Sequence, residues 1–373
     1  MRIIFICGSI EPGKDGVGDY TRRLASELIR QGVKVGIIAY KDGFVESEEE
    51  VNQEMEGIQI LCYRLPVCLK RKERVALSKK WIVSKNPEWL SLQFVPYSFH
   101  FKGIPFGLGN ELKELGVGRK WHIMFHELWL GLRSTDSIKF KVTGFLQRQI
   151  VQSLRKKLKF NVVHTHTKFY MNELTRINFN PKYLPIFSNI KFSQSHNKDS
   201  FVYDKKSIVF VHFGSIHPNL PIEEFVKELY LYSQDINNKS ITLVFIGRSG
   251  TELKNWEKEL KNYKVSYQVL GELTNEEVSH VLQKADYGVT TNPVFVLEKS
   301  GTVAALKEHN LPILVVSENT KPNNGTEVFL ESCFFQYSHG NLSDFISSKQ
   351  VSFNLKVKGI KEVSDEFLNS LLI

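Results

Sequence analysis

Short, almost continuously apolar segments alternate along the chain with segments of helical periodicity, and the alternation occurs twice. The segments with strand character are 2–10, 34–40, 89–94, 122–125 and 161–166 in the first half, and 207–215, 241–248, 265–271, 287–292 and 312–318 in the second. Strands that are apolar on both faces are typical of parallel sheets covered by helices on both sides. The pattern therefore predicts an α/β protein with two doubly wound, Rossmann-like parallel-sheet domains.

The segments of helical periodicity lie between these strands. Their bounds are 19–31, 138–158, 222–233, 251–262, 275–284 and 300–309. In the first of them Tyr20, Leu24 and Leu28 recur every four residues, which places them on one face of a helix. Gly32 then stands where a glycine commonly ends a helix.

Two domains are predicted, residues 1–188 and 189–359. They meet near 184–200, where apolar periodicity gives way to Ser, Asn and Lys. The last segment, 360–373, reads as a short amphipathic helix, and we expect it to pack back on the first domain. With 373 residues, 42% of them apolar, the chain can supply two hydrophobic cores.

The composition also restricts where the protein works. Four cysteines are scattered without a C-x-x-C spacing, which favours reduced thiols in a cytoplasmic protein over a disulfide framework or a zinc site. The sequence contains no stretch of about 20 apolar residues, so no membrane-spanning helix is predicted. The apolar run at the N-terminus is too short for a signal peptide.

The net charge of +9 is unevenly distributed. Residues 1–190 carry 30 Lys and Arg against 18 Asp and Glu, whereas 191–373 carry 19 against 22. The densest basic clusters are 69–81 and 153–160. They fit a solvated face, a nucleic-acid footprint or attraction to anionic lipid. Nucleic acid is the weakest of the three, because no recognised binding motif accompanies the charge.

Glycines are concentrated between the first strand and the first helix, at Gly13, Gly16 and Gly18. They indicate either a mobile loop or a backbone that a ligand approaches closely. If Gly16, Val17 and Gly18 precede the helix, their N–H groups lie at its positive end, which suits a phosphate. The motif is not a dinucleotide fingerprint, because Tyr20 and Thr21 stand where its last glycine would be.

Ligands of open α/β sheets bind beyond the carboxyl ends of the strands, so residues directly after strands are candidates. His126 and Glu127 follow strand 122–125, and the histidine could carry a proton or bind a sugar hydroxyl. A structural histidine is the alternative there. For His164 and His166 the structural interpretation is preferred. The histidines lack metal-ligand spacing, so we predict no metal.

A further candidate follows strand 287–292, where Glu298 and Lys299 precede a helix that opens with Ser300, Gly301 and Thr302. Free N–H groups, two hydroxyls and a lysine would meet at this helix N-terminus and could hold a diphosphate. The alternative is an ordinary N-cap at Ser300, with Glu298 as a solvated acid.

Several sequence stretches, taken together in chain order, resemble those of the GT-B glycosyltransferases, specifically the retaining family 4. VFVHFGSI (209–216), LVFIGR (243–248) and above all LGELTNEEVSHVLQKADYGVTTNP (270–293) are similar to the donor domain of that family. The loop at 13–18 is similar to its N-terminal loop, and MFHELW (124–129) to its active-site histidine strand.

The resemblance implies that the two domains face a central cleft. The second would hold a nucleotide-diphosphate sugar, with UDP or GDP as the nucleotide, and the first a glycan or lipid-linked acceptor. The sugar would be transferred with retention of configuration, as in the synthesis of bacterial surface polysaccharides or glycoconjugates.

By the same resemblance, His126 and Glu298 are the catalytic residues, His126 by contacting the transferred sugar and Glu298 as the first acid of a Glu-x7-Glu pattern. The implied donor-binding residues are Gly16, Val17, Gly18, Gly214, Ser215, Arg248, Gly271, Leu273, Lys299, Ser300, Gly301 and Thr302. Gly16 and Gly18 would approach the diphosphate, and the backbone at 271–273 would face the base.

The chain also departs from the family pattern. An Arg and a Lys usually follow the first strand of the donor domain, but here the sequence is GSIHPNLP (214–221). Arg248 and Lys299 are our candidates to neutralise the diphosphate instead. The second glutamate is replaced by Leu306, so ribose recognition stays unassigned. No D-x-D motif occurs, which favours a metal-independent mechanism without a cofactor.

Two alternatives stay open. One is a nucleotide-sugar-binding or scaffold protein without catalysis, as the missing residues permit. The other is a different GT-B enzyme, such as a nucleotide-sugar epimerase. For a glycosyltransferase, the basic first half would suit a cytoplasmic enzyme that meets an anionic membrane surface peripherally.

Overall fold

A computed structural model describes residues 1–193, 207–235, 240–318, 321–323, 330–347 and 357–372. The chain divides into two compact units. The first unit comprises Met1–Pro185, Lys321–Thr326 and Ile360–Ile373, and the second comprises Ile186–Thr320 and Glu327–Gly359. The division at 185/186 lies close to the predicted one at 188/189. Residues 194–200 of the predicted linker lie outside the described ranges.

The first unit is built on one sheet. Its strands are β1 (Arg2–Cys7), β2 (Lys34–Asp42), β3 (Glu49–Met55), β4 (Ile58–Pro66), β5 (Trp89–Phe94), β6 (Lys120–Phe125), β7 (Val162–Thr165) and β8 (Lys182–Tyr183). They lie in the order β3-β4-β2-β1-β5-β6-β7-β8, so the strand order reverses between β1 and β5. Every residue of β5 is buried, as expected for a central strand covered on both faces.

Helices accompany these strands. They are α1 (Gly16–Arg30), α2 (Arg71–Lys85), α3 (Pro96–Phe99), α4 (Leu108–Leu115), α5 (Ile138–Leu158) and α6 (Lys168–Thr175). The basic cluster at 69–81 lies mostly on α2, and the cluster at 153–160 covers the C-terminal end of α5 and the two residues after it.

The second unit is a smaller sheet of the same kind. Its strands are β9 (Ser207–Phe213), β10 (Ser240–Ile246), β11 (Ser266–Gly271), β12 (Tyr287–Thr290), β13 (Ile313–Val315) and β14 (Phe334–Gln336). All described pairs are parallel, in the order β11-β10-β9-β12-β13-β14, and the order reverses between β9 and β12. One core cluster on this sheet surrounds the fully buried Trp256.

The helices of the second unit are α7 (Ile222–Asp235), α8 (Leu253–Asn262), α9 (Asn275–Lys284), α10 (Gly301–Glu308) and α11 (Leu342–Ser347), with a 3-10 helix at Val294–Lys299 before α10. Helix α9 begins with a capping box in which Thr274 and Glu277 bind each other's backbone N–H groups.

The last helix, α12 (Ile360–Leu371), belongs to the first unit. Its Phe367 is fully buried, with its ring centroid 5.9 Å from that of Phe5 in β1 and 5.0 Å from that of His122 in β6. Gln31, directly after α1, donates hydrogen bonds to Ser364 and Asp365. Packing and hydrogen bonds therefore both tie α12 to the first sheet.

Several predicted elements have the predicted bounds: β5, α5 and α9 match 89–94, 138–158 and 275–284. The predicted strand 207–215 ends earlier, at Phe213, because Gly214 turns the chain with a φ of 94°. The predicted parallel-sheet architecture is confirmed for both units, and the first sheet has in addition one antiparallel edge hairpin, β3–β4, that was not predicted.

The segment at 321–323 corrects the predicted domain bounds, which placed it in the second domain. It lies against the loop after β6 in the first unit. The Ser134 N–H donates to the Lys321 carbonyl at 3.0 Å, and the Asn323 N–H donates to the Leu132 carbonyl at 2.8 Å. Backbone hydrogen bonds hold the segment there, and such bonds leave no apolar pattern in the sequence.

Candidate functional site

The N-terminus of α1 differs from its prediction. The helix begins at Gly16 rather than Asp19, because Asp15 caps it: one carboxylate oxygen accepts the N–H groups of Val17 at 2.8 Å and Gly18 at 2.9 Å. The expectation that these two amides are open to a ligand is therefore wrong for this arrangement. Burial raises the pKa of the Asp15 carboxyl, and the two amide hydrogen bonds partly offset the rise.

The glycines before and within α1 have different surroundings. A Cβ on Gly18 would lie 2.6 Å from the Ser9 carbonyl oxygen, so the close approach of β1's end to α1 requires a glycine there. A Cβ on Gly16 would meet no atom within 4 Å. Packing explains Gly18 and leaves the space beside Gly16 open.

His126 follows β6 directly, as predicted, and both of its ring nitrogens have protein partners. Nε2 lies 2.9 Å from Oε1 of Gln93 in β5, and Nδ1 lies 3.1 Å from Nε2 of His166 after β7. The ring of Tyr20 meets both imidazoles edge-on, with centroids 5.0 and 5.2 Å away. His126 is 7% exposed, whereas Gln93 and His166 are each 1% exposed.

Sequence reasoning missed Gln93 and treated His166 as structural. A signal was available for His166, because it stands one residue beyond β7, just as His126 stands one residue beyond β6. In parallel strands of matched register such positions are neighbours on one face of the sheet.

In the second unit the carboxyl ends of three adjacent strands form a row of glycines. Gly214, Gly247 and Gly271 end or follow β9, β10 and β11, and each has a positive φ. The Gly214 N–H donates to the Ile246 carbonyl at 2.9 Å, and the Gly247 N–H donates to the Gly271 carbonyl. The predicted residues Gly214 and Gly271 therefore lie on one continuous edge.

The N-terminus of α10 lies beside the Gly214 end of that row. Ser300 is the N-cap, and its hydroxyl accepts the Val303 N–H at 3.3 Å. Its hydroxyl also lies 3.0 Å from that of Thr302. A Cβ on Gly214 would lie 2.8 Å from the Thr302 methyl, whereas one on Gly301 would meet nothing within 4 Å.

This contact falls where the strand order reverses, between β9 and β12, which is where open α/β sheets bind ligands. Asn292, after β12, links the N-terminus of α10 to the loop after β9. Its amide nitrogen donates to the Ser300 hydroxyl, and its carbonyl oxygen lies 3.0 Å from Nε2 of His217 in that loop. Neither Asn292 nor His217 was among the predicted site residues.

Two further serines were missed. Ser249 and Ser317 follow β10 and β13, and among the described residues neither buried hydroxyl oxygen has a hydrogen-bond partner. Ser215, which was predicted, follows Gly214 and is exposed, and Leu273 is half-buried just after β11. Polar groups therefore gather along the carboxyl edge of this sheet.

The predicted cations differ in their surroundings. Arg248 is exposed and forms a two-point ion pair with Glu272, at 2.9 Å for each nitrogen–oxygen contact. Lys299 ends the 3-10 helix that also carries Glu298, and Ser300 separates it from α10. Both residues are half-buried, and this helix, rather than a strand end, presents them.

Within the described ranges, His, Cys, Asp and Glu side chains nowhere gather in threes that could hold a metal ion. No helix in the described part of the chain has the length and apolar character to cross a membrane.

No family model matches the sequence, and no curated protein matches it. Solved structures do match. The Anabaena protein HepE, in complex with UDP and glucose, is 13% identical with a TM-score of 0.63, over 100% of this chain and 99% of that chain. The lipopolysaccharide outer core galactosyltransferase WaaB, in its apo form, is 12% identical with a TM-score of 0.56 over the same shares.

A third match is the UDP-GlcNAc 2-epimerase from Methanocaldococcus jannaschii, which is 12% identical with a TM-score of 0.54, over 100% of this chain and 99% of that chain. At these identities the likeness concerns the fold. The chain has the GT-B fold, with two Rossmann-like units of mostly parallel sheet. Assignment to family 4 within that class remains a prediction.

Proposed function

We propose that the protein is a glycosyltransferase that moves a sugar from a nucleotide-diphosphate sugar to a glycan or lipid-linked acceptor, with retention of configuration. The observation that carries the proposal is the N-terminus of α10, which lies against the Gly214 turn at the point where the strand order of the second unit reverses. The end-to-end likeness to HepE and WaaB supports it.

We place the donor diphosphate at the N-terminus of α10. The helix dipole favours an anion there, and no atom would obstruct a group that approaches Gly301. The hydroxyls of Ser300 and Thr302 add donors beside the amides. Gly271 and Leu273, at the β11 end of the glycine row, are the residues we assign to the base.

Lys299 is our first candidate to neutralise the diphosphate, because it stands next to the α10 N-cap. Arg248 is the weaker candidate, since the carboxylate of Glu272 already balances its charge.

In the proposed reaction the bond from C1 of the sugar to the diphosphate oxygen breaks, and the diphosphate leaves with the electron pair. The acceptor hydroxyl attacks from the same face and gives its proton to the leaving oxygen. Amides and cations stabilise the charge that develops on the diphosphate.

The Lys299 assignment predicts weaker donor binding for Lys299→Ala. We expect the dissociation constant for UDP, the nucleotide bound in the HepE structure, to rise at least about tenfold, which corresponds to about 1.4 kcal/mol. Calorimetric titration with UDP, GDP and UDP-glucose measures this. Lys258→Ala is the matched control, because Lys258 is 74% exposed on α8. Equal affinities for both variants would remove Lys299 from the site.

Turnover separates the proposal from its alternatives. A transferase releases nucleotide diphosphate faster when an acceptor is added, whereas a binding or scaffold protein binds the donor without release. An epimerase, the activity of one structural neighbour, would convert UDP-GlcNAc without any acceptor. Binding of a nucleotide sugar combined with acceptor-dependent release would support the transferase.

We also propose that the enzyme meets a lipid-linked acceptor at an anionic membrane surface. The first half of α5 carries exposed apolar side chains interleaved with cations. This α5 patch consists of Ile138, Phe140, Val142 and Phe145 with Lys139, Lys141 and Arg148. Ile138 is 80% exposed and Phe145 60% exposed. Exposed aromatic and cationic side chains together match the interface of an anionic bilayer.

The nearby loop at 100–107 extends the same surface. Gln147 of α5 donates a hydrogen bond to the Gly103 carbonyl, which ties the loop to the helix. On either side of that glycine, Phe101 is 80% exposed and Phe106 63% exposed. The side chain of Lys102 lies over the Phe101 ring.

Co-sedimentation with vesicles tests this surface. We expect the protein to bind vesicles that contain phosphatidylglycerol, to release them as salt is raised, and to bind weakly to pure phosphatidylcholine. The double variant Phe140→Ser/Phe145→Ser should lose most of the binding. Phe44→Ser is the control, because Phe44 is 53% exposed in an acidic stretch of the same unit. Binding that ignores both salt and the α5 variant would contradict the proposal.

A further inference from the structure

A continuous series of hydrogen bonds leads from His126 into the interior of the first unit. His126 bonds Gln93, and Gln93 bonds Ser91 at 2.8 Å. Ser91 in turn lies 2.7 Å from Nδ1 of His122, whose Nε2 lies 3.0 Å from Nδ1 of His164. His126 is the most exposed member of the series, and the others are at most 2% exposed.

The alternation of side chains along β-strands produces this series. Ser91 and Gln93 are two residues apart on β5, and His164 and His166 are two residues apart at the end of β7, so each pair lies on one face. Phe367 of α12 packs on the inner end, and Tyr20 of α1 packs on the outer end.

The outer end has a chemical constraint. Nδ1 of His166 lies 2.9 Å from the carbonyl oxygen of Leu184, and a carbonyl oxygen can only accept a hydrogen bond. A neutral imidazole has one N–H, so a neutral His166 that donates to Leu184 must accept at Nε2. His126 then donates from Nδ1, and its Nε2 must accept from the amide nitrogen of Gln93.

If the Gln93 amide is turned the other way, the His126–His166 pair must carry one more proton. When Oε1 of Gln93 faces His126, the Nε2 of His126 carries a proton and its Nδ1 accepts from Nε2 of His166. His166 still donates to Leu184, so it has both N–H groups and is an imidazolium. The direction of the Gln93 amide and the charge of the histidine pair are therefore linked.

We propose that Gln93 and His166 are positioning residues that act through His126, fixing the ring orientation and the tautomer with which His126 meets the donor sugar. The inference rests on the proposed function for the role of His126. The linkage between Gln93 and the tautomer stands apart from it, because that linkage follows from hydrogen-bond chemistry within the first unit.

Three titratable groups in the series or beside the pair, Tyr20, His122 and His164, are uncharged near neutral pH. Burial raises the pKa of the Tyr20 hydroxyl, so Tyr20 stays neutral beside both rings. Burial also lowers the pKa of His164 to about 3, with smaller contributions from Lys182 and His166, and lowers that of His122 well below its ordinary value. The inner histidines His122 and His164 therefore stay neutral near neutral pH.

Nitrogen-15 NMR of histidine-labelled protein reads the tautomer directly. We expect Gln93→Glu, whose carboxylate only accepts, to hold the proton on Nε2 of His126. We expect Gln93→Leu, which removes that acceptor, to move the proton to Nδ1. Gln147→Leu is the control, because Gln147 is equally buried in the same unit but bonds only the backbone of Leu130 and Gly103.

The His126 signals, identified from their loss in His126→Gln, should report opposite tautomers in the two Gln93 variants and stay in place in the control. A His126 tautomer that is the same in both Gln93 variants would overturn the inference. In an assay of transfer activity, Gln93→Leu should lower kcat at least about tenfold with little change in the KM for the donor. Gln93→Glu should retain a higher kcat than Gln93→Leu. Unchanged kcat with shifted NMR signals would overturn the catalytic role of His126 and leave the linkage intact.

Discussion

Gly16 and Gly18 stand two residues apart in the first turn of α1 and have different neighbours. The structure offers no packing reason for Gly16, because a Cβ there would lie in open space. For Gly18 the reason is the Ser9 carbonyl oxygen, which would lie only 2.6 Å from a Cβ at that position. One glycine is therefore available for a ligand, and the other serves the fold.

This difference predicts separate effects of two similar substitutions. Gly16→Ala should leave the free energy of unfolding unchanged or raise it slightly, since alanine favours a helix, while weakening binding of the donor diphosphate that we expect to approach this turn. Gly18→Ala should destabilise the protein by about 1–3 kcal/mol through overpacking.

Urea unfolding and donor titration of both variants measure the two effects. If Gly16→Ala binds the donor as tightly as the parent protein, the α1 turn does not contact the diphosphate. If Gly18→Ala is as stable as the parent, the close contact with Ser9 is not a constraint.

Single residues also show how far the sequence could predict the site. Ser300 and His126 were found because each directly follows a strand or opens a helix, positions that a linear pattern reveals. Gln93 was missed because it lies inside a buried strand, and its significance depends on which strand lies beside it. Asn292 and His217 meet only after the chain has crossed from one side of β9 to the other.

Among the elements, α12 makes the most testable contribution. Phe367→Ala removes a fully buried ring from between Phe5 and His122, and we expect a loss of about 3–5 kcal/mol in the free energy of unfolding. Leu372→Ala, at a residue 71% exposed just after the helix, should change it little.

Chemical denaturation followed by the fluorescence of Trp89 and Trp121, both buried in the first unit, reports this loss. Variants of the other tryptophans would isolate that signal. Equal stabilities of the Phe367 and Leu372 variants would show that α12 contributes little to the first core.

The elements that sequence patterns missed share a physical cause. Strand β3 is an edge strand whose residues are alternately exposed and half-buried, so EEVNQEM shows no apolar run. Helix α2 is rich in lysine and arginine, and its five buried residues, although they lie on one face, include Arg74 and Ser78, so the apolar periodicity is weak. Helix α5, by contrast, was predicted from its long amphipathic pattern, and in the structure Ser137 caps its start and Lys159 turns left-handed at its end.

At the scale of the whole molecule, buried histidines should make stability depend on pH in both units. Burial lowers the pKa of His164 in the first unit and of His212 in the second, each to about 3. Below an unfolded pKa of about 6.5 the unfolded chain binds more protons than the folded one, so stability rises with pH between about 3 and 6.5.

We therefore expect each of these histidines to lower the free energy of unfolding by about 1 kcal/mol between pH 7.5 and pH 5.5. His212→Leu tests this in the second unit, because His212 packs near Phe245 and Trp256 and its Nδ1 is buried without a partner among the described residues. The variant should lose that part of the pH dependence. A pH dependence equal to that of the parent would place its origin elsewhere.

The position of α12 also bears on how the protein is made. Ribosomes deliver the strands of the first sheet early, yet the helix that covers Phe5 and His122 emerges only after every strand of the second sheet. At a translation rate of about 5–20 residues per second, the nascent N-terminal sheet waits for many seconds with that face uncovered. The second unit can therefore mature before the first is complete, and the interval is one in which a chaperone would find an apolar surface to bind.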